Sequence, residues 1–468
     1  MESNYIPYPE LPDISTTGDA CTYIVSIPNK NSIELKFESN ELLPKESINE
    51  LPSEQRQQVD SLERKLIKAN LNGTEDESES EEIEPFDPND ITITKRVVTM
   101  ETILRRMEQG TIWLNPGFQR KEVWSEDKKC QLIESLLLRI PIPMFYISVD
   151  SNDKWTVVDG LQRLSSIRDF ALGKKYLEDK ENNKSLKGCG FKLHGLEFCG
   201  SLLNGKTLND LPTVFYNRLV ETEFTFVLIN PGTPEEVKRN IFKRINTGGE
   251  SLSPQEIRNA LYEGTATKLL SELCNEEIFK KATCWSVRSD RMEDRELVLR
   301  WLAFTLRSYK TYNRAYSTDT WLSDTMIILN SFPNLDTKDI KRMLNRNKSI
   351  DISSIMVLQI TEIKERFKLS MTRSYQLFKE HAFRKSVPGK RRCPINKALF
   401  ETWGVLLSEL NEEGYQKLLS QKSVFIKEYG DYLDDYSFIV TISKDSMSKT
   451  SVINRFTKIK SLIEKYTV

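Results

Sequence analysis

Apolar positions change their period along this chain. Two short runs, Thr22 to Ile27 and Ser32 to Phe37, alternate apolar with polar residues on either side of Pro28–Asn31, which predicts two strands around a turn. Ser53 to Ala69 then follows a helical period. The stretch from Thr74 to Asp90 is rich in acid and serine and holds no basic residue; it has too little apolar surface to fold and is expected to be a linker. Beyond it the pattern is mixed. Val98 to Glu108 and Ser125 to Leu138 predict helices, the second with Ser125 as N-cap. Ile140-Pro-Ile-Pro143 breaks that helix, and Met144 to Val149 and Trp155 to Val158 predict buried strands. A helix over Gln162 to Leu172, a strand over Thr222 to Ile229 and a helix over Pro234 to Ile245 follow. From Ser253 onward almost every pattern is helical, through Arg295–Leu306, Asp319–Leu329, Ile352–Phe367, Asn396–Glu409 and Val452–Tyr466.

The expected fold class is therefore α+β, a small mixed core followed by a large all-helical region. Four parts are expected: an N-terminal extension over 1–73, an acidic linker over 74–90, the mixed core over 91–250 and the helical region over 251–468. A chain of 468 residues exceeds one compact core, which agrees with several domains. No run of apolar residues reaches membrane-spanning length, and Met1 to Glu10 has acid and proline where a secretory signal has basic and apolar segments. The seven cysteines include no Cys-x-x-Cys pair, and Cys189, His194 and Cys199 fit no common zinc spacing, so neither disulfides nor a metal site are expected. A reducing cytoplasm fits best.

With a net charge of -1, the distribution of charge says more than the sum. Arg384, Lys385, Lys390, Arg391 and Arg392 form a basic run without acid, near Phe383 and Pro388-Gly389. Such a run either grips nucleic-acid phosphate or is a solvated loop. The acidic linker has the opposite charge, and its deletion is expected to tighten DNA binding at low salt.

Three segments carry candidate chemistry. In Trp155-Thr-Val-Val-Asp-Gly-Leu-Gln-Arg-Leu164 a strand runs through Asp159-Gly160 into a helix. The helix start offers backbone N–H groups to an anion, and Arg163 in the first turn adds a positive charge where the helix dipole disfavours one. The alternative is a tight turn in which Arg163 pairs with Asp159. Asn115-Pro-Gly-Phe-Gln-Arg120 is a donor-rich loop whose Gln119 and Arg120 could reach a neighbouring site. In Phe242-Lys-Arg-Ile-Asn-Thr-Gly-Gly249 one helix ends, and Ser253-Pro-Gln-Glu256 restarts the chain as a capping box. Arg244, Asn246, Thr247, Arg258 and Asn259 gather at that corner, either as a polar site or as the surroundings of a well-capped helix pair.

Together and in this order, Asn115-Pro-x-Phe-Gln-Arg120, Ile140-Pro-Ile-Pro143, Asp159-Gly-x-Gln-Arg163, Ile245-Asn-Thr-Gly-Gly249 and Leu252-Ser-x-x-Glu-Ile-Arg258 resemble the N-terminal domain of GmrSD-type, modification-dependent restriction enzymes. The resemblance covers roughly Thr92 to Leu306. It implies a ParB- and sulfiredoxin-like core in which the strand-to-helix turn holds nucleotide phosphates. Asp159, Gln162 and Arg163 would then be catalytic, with Gly160, Gln119, Arg120, Arg244, Asn246 and Thr247 lining the nucleotide site. Leu161 stands where the family signature has a second glutamine. The resemblance further implies a nucleoside triphosphate with magnesium as cofactors, phosphoanhydride hydrolysis, DNA and a separate nuclease or defence protein as partners, and self-association. The only histidines, His194 and His381, lie outside any His-x-x-Pro setting, so the histidine-metal nuclease of larger relatives is not expected in this chain. An ordinary P-loop NTPase is not expected either. The rival readings are a non-enzymatic DNA-binding module using the same corner, and an interaction scaffold whose old site has decayed.

Overall fold

Alternation at Thr22–Val25 and Ile33–Glu38 does produce a strand pair, extended at both edges. The computed structural model describes residues 14–16, 22–25, 32–38, 41–49, 51–75, 93–114, 124–150, 152–231, 233, 237–238, 241, 253–312, 317–346, 352–443 and 446–467. Strands β1 (Ile14–Thr16), β2 (Thr22–Val25), β3 (Ile33–Glu38) and β4 (Glu41–Leu43) form one antiparallel sheet in chain order. Helices α1 (Lys45–Asn49) and α2 (Ser53–Asn72) follow. Tyr23, Val25, Leu35, Phe37 and Leu42 of the sheet pack with Val59 and Leu62 of α2. The chain divides into two units, residues 1–83 with 262–468 and residues 84–261.

The mixed-sheet unit (84–261) contains β5 (Ile93–Thr99), α3 (Met100–Glu108), β6 (Ile112–Trp113), α4 (Glu126–Leu137), β7 (Phe145–Val149), β8 (Trp155–Asp159), α5 (Leu161–Ala171), α6 (Lys174–Glu178), α7 (Gly200–Leu203), α8 (Thr213–Val220), β9 (Glu223–Ile229) and α9 (Pro254–Leu261). The sheet order is β5-β9-β7-β8-β6. Strand β7 is parallel to β9 and antiparallel to β8, which is parallel to β6. Helix α3 shows why these residues fold as they do. The Thr99 hydroxyl accepts the Thr102 N–H, Glu101 lies in the first turn and Arg105 and Arg106 in the last, and Met100, Ile103, Leu104 and Met107 are buried at helical spacing. Ser125 caps α4 through the Lys128 N–H, as the sequence predicts. Strand β5 was not expected: it pairs along its whole length with β9, yet only Val98 of its seven residues is buried, so no alternation marks it.

The helical unit continues with α10 (Thr265–Asn275), α11 (Glu277–Ala282), α12 (Glu293–Leu306), α13 (Thr318–Ser331), α14 (Lys338–Arg346), α15 (Ile360–Phe378), α16 (Lys397–Glu409), α17 (Glu412–Ser420), α18 (Lys422–Asp434), α19 (Tyr436–Ser443) and α20 (Lys449–Lys465). Every residue of α12 from Glu296 to Leu306 is buried, which makes it the central helix of this unit. The helix expected over Ile352–Phe367 instead starts at Ile360 and runs to Phe378. The residues before it are drawn elsewhere: Ile355 bridges Arg307, and the Met356 N–H donates to the Leu306 carbonyl. The molecule is α+β with a large helical region, the class predicted from the sequence.

The acidic stretch begins inside this unit. Thr74 bridges Ile395, the Ile395 N–H donates to Gly73 O, and the Glu75 N–H donates to Ile395 O. The Thr74 hydroxyl donates to Glu293, the end of a buried chain of charge: Glu293 to Lys397 at 3.2 Å, Lys397 to Glu296 at 2.9 Å, Glu296 to Arg300 at 3.3 Å, Arg300 to Glu401 at 3.5 Å, and Glu401 to Arg455. Three acids meet three bases, so the desolvated charges of α12, α16 and α20 cancel.

Candidate functional site

The turn that the sequence singles out is built by a bulge and a glycine. Between β7 and β8 the pairing steps from Ile147↔Val157 to Tyr146↔Asp159, leaving Val158 as the extra residue. The side-chain alternation slips there, so that Val157 and Val158 are both buried while Asp159 stays half-exposed at the strand end. Gly160 then turns the chain with φ 92° and ψ 14°, in the left-handed region. A Cβ at this position would lie 2.3 Å from Cδ1 of Phe145. Gly160 occupies the N-cap position of α5, where it offers no side-chain acceptor, and no acid lies in the first turn. The N-cap residue thus contributes no side-chain bond to the first-turn amides, an arrangement that favours an anion.

Arg163 folds back over this turn. Its guanidinium donates to Asp159 Oδ2 at 2.8 Å, to the Pro143 carbonyl and to the Met144 carbonyl at 3.4 Å. It also stacks on Phe145, 4.6 Å from the ring centroid. Phe145 is itself fixed by stacking on Phe226 at 5.0 Å and by an edge contact with Phe224 at 5.6 Å. Burial pushes the Arg163 pKa down and Asp159 pulls it back, with a net lowering that still leaves a guanidinium charged at neutral pH. The pairing of Arg163 with Asp159 and the anion-favouring helix start thus occur at the same turn.

Gln162 accepts the Trp124 N–H through Oε1 at 3.3 Å, which brings the residue preceding α4 to the start of α5. The structure joins Asp159, Gly160, Gln162 and Arg163 in one turn. Gln119, Arg120, Arg244, Asn246 and Thr247 lie outside the described residues. Beyond that gap Ser253 and Glu256 form the expected capping box: Ser253 Oγ accepts the Glu256 N–H at 3.1 Å, and Glu256 Oε2 accepts the Ser253 N–H at 2.6 Å. Helix α9 packs against β8, and Gln255, Glu256, Arg258 and Asn259 are all buried.

Sequence reasoning passed over Gly200-Ser-Leu-Leu-Asn-Gly-Lys-Thr207, which spells the phosphate-loop pattern. The structure removes its meaning. No strand leads into it, Gly200–Leu203 is itself a short helix, and only the three-residue 3-10 turn Leu208–Asp210 follows. The Thr207 hydroxyl donates to Asp210 at 2.7 Å and Lys206 donates to the Asp210 carbonyl at 3.3 Å, so both polar side chains serve the local turn. Nearby, Glu134 of α4 is buried and accepts the N–H groups of Glu197, Phe198 and Cys199 at 2.8–3.0 Å. Burial would raise its pKa, but the three N–H bonds prevail and hold the carboxyl below its ordinary value. Among the described residues there is no group of three potential metal-ligating side chains.

The basic run of the helical unit divides into two classes. Arg384 is buried, with its guanidinium spent on the carbonyls of Cys393 and Thr283 and on Ser286 Oγ, and burial lowers its pKa to about 10. Lys385 pairs with Glu75 at 2.6 Å. Lys390, Arg391 and Arg392 are exposed, with Asp434 3.5 Å from Lys390. The loop that presents them is closed by Ser386, whose hydroxyl meets His381 Nδ1 at 2.9 Å and accepts the Cys393 N–H at 3.4 Å. Three cations of the five therefore face solvent.

Residues 100–263 match the family described as GmrSD restriction endonuclease, N-terminal domain. The matched part runs from α3 through α9 and includes the Asp159–Arg163 turn. No curated protein and no solved structure matches the chain. Among the described residues no helix is long and apolar enough to cross a membrane.

Proposed function

We propose that the mixed-sheet unit binds the phosphates of a nucleoside triphosphate at the Asp159–Arg163 turn, and that the protein works with DNA in a restriction or defence system. The observation that carries the reading is the coincidence, at one strand end, of a left-handed glycine, a helix start without a side-chain cap and a clamped guanidinium. The family match supports the restriction setting. In this reading Arg163 and Arg120 hold phosphate oxygens, Gln162 orients phosphate or the attacking water, and Asp159 orients Arg163. Gln119, Arg244, Asn246 and Thr247 are assigned to the same nucleotide. Asp159 offers one carboxylate, and a magnesium ion there would be held chiefly through phosphate oxygens and water, as that ion usually is. Lys390, Arg391 and Arg392 are assigned to DNA phosphate, with Arg384 and Lys385 shaping the loop beneath them. A separate protein would supply the nuclease.

A second reading, a non-enzymatic module, draws on a specific observation: Arg163 is already neutralised by Asp159 and bonded to two carbonyls, so it has less charge to lend a transition state. Binding and turnover of the four nucleoside triphosphates with magnesium, in the wild type and in Arg163→Ala, separate the two. Turnover that disappears in the variant supports hydrolysis. Binding without turnover supports the module, and DNA binding without any nucleotide binding defeats the nucleotide assignment.

A further inference from the structure

Helix α9 carries four buried polar residues in two turns, an arrangement that packing alone disfavours. Two of them are accounted for locally. Glu256 closes the capping box, and Arg258 donates through Nε to Gln255 Oε1 at 2.9 Å. That bond fixes the Gln255 amide with its oxygen toward Arg258, which leaves Nε2 as a buried donor. Gln255 Nε2 and Asn259 Oδ1 are both buried and have no hydrogen-bond partner among the described residues. The two residues are four apart and share one face of α9. Ile257 and Ala260, on the neighbouring face, belong to the same core as Val157, Val158 and Leu161, so α9 is seated on the strand that ends in Asp159.

An unsatisfied donor beside an unsatisfied acceptor calls for a partner that presents both. Phosphate oxygens only accept; they would serve Gln255 Nε2 and leave Asn259 Oδ1 without a donor. A nucleobase edge or a ribose hydroxyl supplies both, and side-chain amides are the groups that pair with such edges. We propose that Gln255 and Asn259 read the nucleoside end of the nucleotide whose phosphates the Asp159–Arg163 turn holds. This assignment rests on the nucleotide reading above and extends it from phosphate to nucleoside.

The test titrates the full chain with the four nucleoside triphosphates, their 2′-deoxy counterparts and inorganic tripolyphosphate, as wild type, Asn259→Leu and Asn259→Ser. The wild type is expected to bind at least one nucleotide about tenfold tighter than tripolyphosphate. Asn259→Leu should erase that preference while leaving tripolyphosphate affinity unchanged, and its melting temperature should hold or rise because a buried orphan acceptor has gone. Asn259→Ser keeps a hydroxyl that donates and accepts and should retain part of the preference; it also decides the matter if the leucine variant does not fold. Preference lost for one base assigns the base edge, and preference lost equally for all bases but absent from deoxynucleotides assigns the ribose. Equal affinity of the wild type for tripolyphosphate and nucleotides, or a preference unchanged in both variants, overturns the inference and leaves the phosphate site standing. Binding of neither nucleotides nor tripolyphosphate overturns the phosphate reading itself.

Discussion

At the scale of single residues, Gly160 and Arg163 have separable duties. Gly160 is needed for the backbone: with φ at 92° and the Phe145 ring in the space of a Cβ, Gly160→Ala is expected to destabilise the mixed-sheet unit by about 1–3 kcal/mol, read by chemical denaturation. Arg163 holds both the strand end and the Pro143 and Met144 carbonyls, so Arg163→Lys should keep the charge yet lose the fork that spans them. Glu134 provides a pH signature. Its carboxyl is held below the ordinary value of 4.5, so it stabilises the fold above that value and its contribution fades as pH falls through the lowered one. Acid unfolding of Glu134→Gln should therefore show a shallower loss of stability below about pH 4.5 than the wild type. An unchanged acid limb would place the sensitivity at another carboxylate.

Among elements, those with a one-sided apolar pattern and a cap were legible from the sequence, and those defined by long-range pairing were not. Ser125 and Ser253 announce α4 and α9, and their capping bonds are present in the structure. Strand β5 left no trace because its partner β9 supplies the order and its own side chains face water. The segment before Ile360 had helical periodicity but was captured by the bridge to Arg307. At the site, the Asp159–Arg163 turn could be read from a strand, a glycine and a helix in succession. Asn259 could be placed at the capped corner, but Gln255 and the burial of both amides could not, because nothing in a capping box says which of its neighbours will be enclosed. The same scale yields a prediction for the stretch Gly73–Glu75, which pairs with Ile395 and reaches Glu293 and Lys385. Removing residues 1–75 should lower the thermal stability of the helical unit, because Thr74 and Glu75 leave a carbonyl, an amide and a lysine without partners. Identical melting of the truncated and full chains would show those contacts to be dispensable.

For the whole molecule, a chain whose residues 100–263 match the GmrSD-type N-terminal domain also holds a helical unit that presents Lys390, Arg391 and Arg392 together on one stapled loop. A near-neutral protein can meet DNA only through such a local concentration of charge. Replacing Lys390, Arg391 and Arg392 together by alanine should weaken DNA binding without base preference, and should reduce the slope of log affinity against log salt by about 2 to 3. Arg384→Ala, in contrast, should act through stability, since its buried guanidinium bonds to the Cys393 and Thr283 carbonyls and to Ser286 Oγ. Deleting residues 76–90 removes eight acidic residues, and tighter DNA binding at low salt is expected if that charge competes for the loop.

The central claim is that a triphosphate seats on the amides at the start of α5. Backbone amide exchange over residues 159–165, followed with and without each nucleoside triphosphate, tests it most directly. Slowed exchange in this segment on adding nucleotide, abolished in Arg163→Ala, is the predicted result. Nucleotide that binds tightly while exchange over 159–165 stays unchanged would contradict the account.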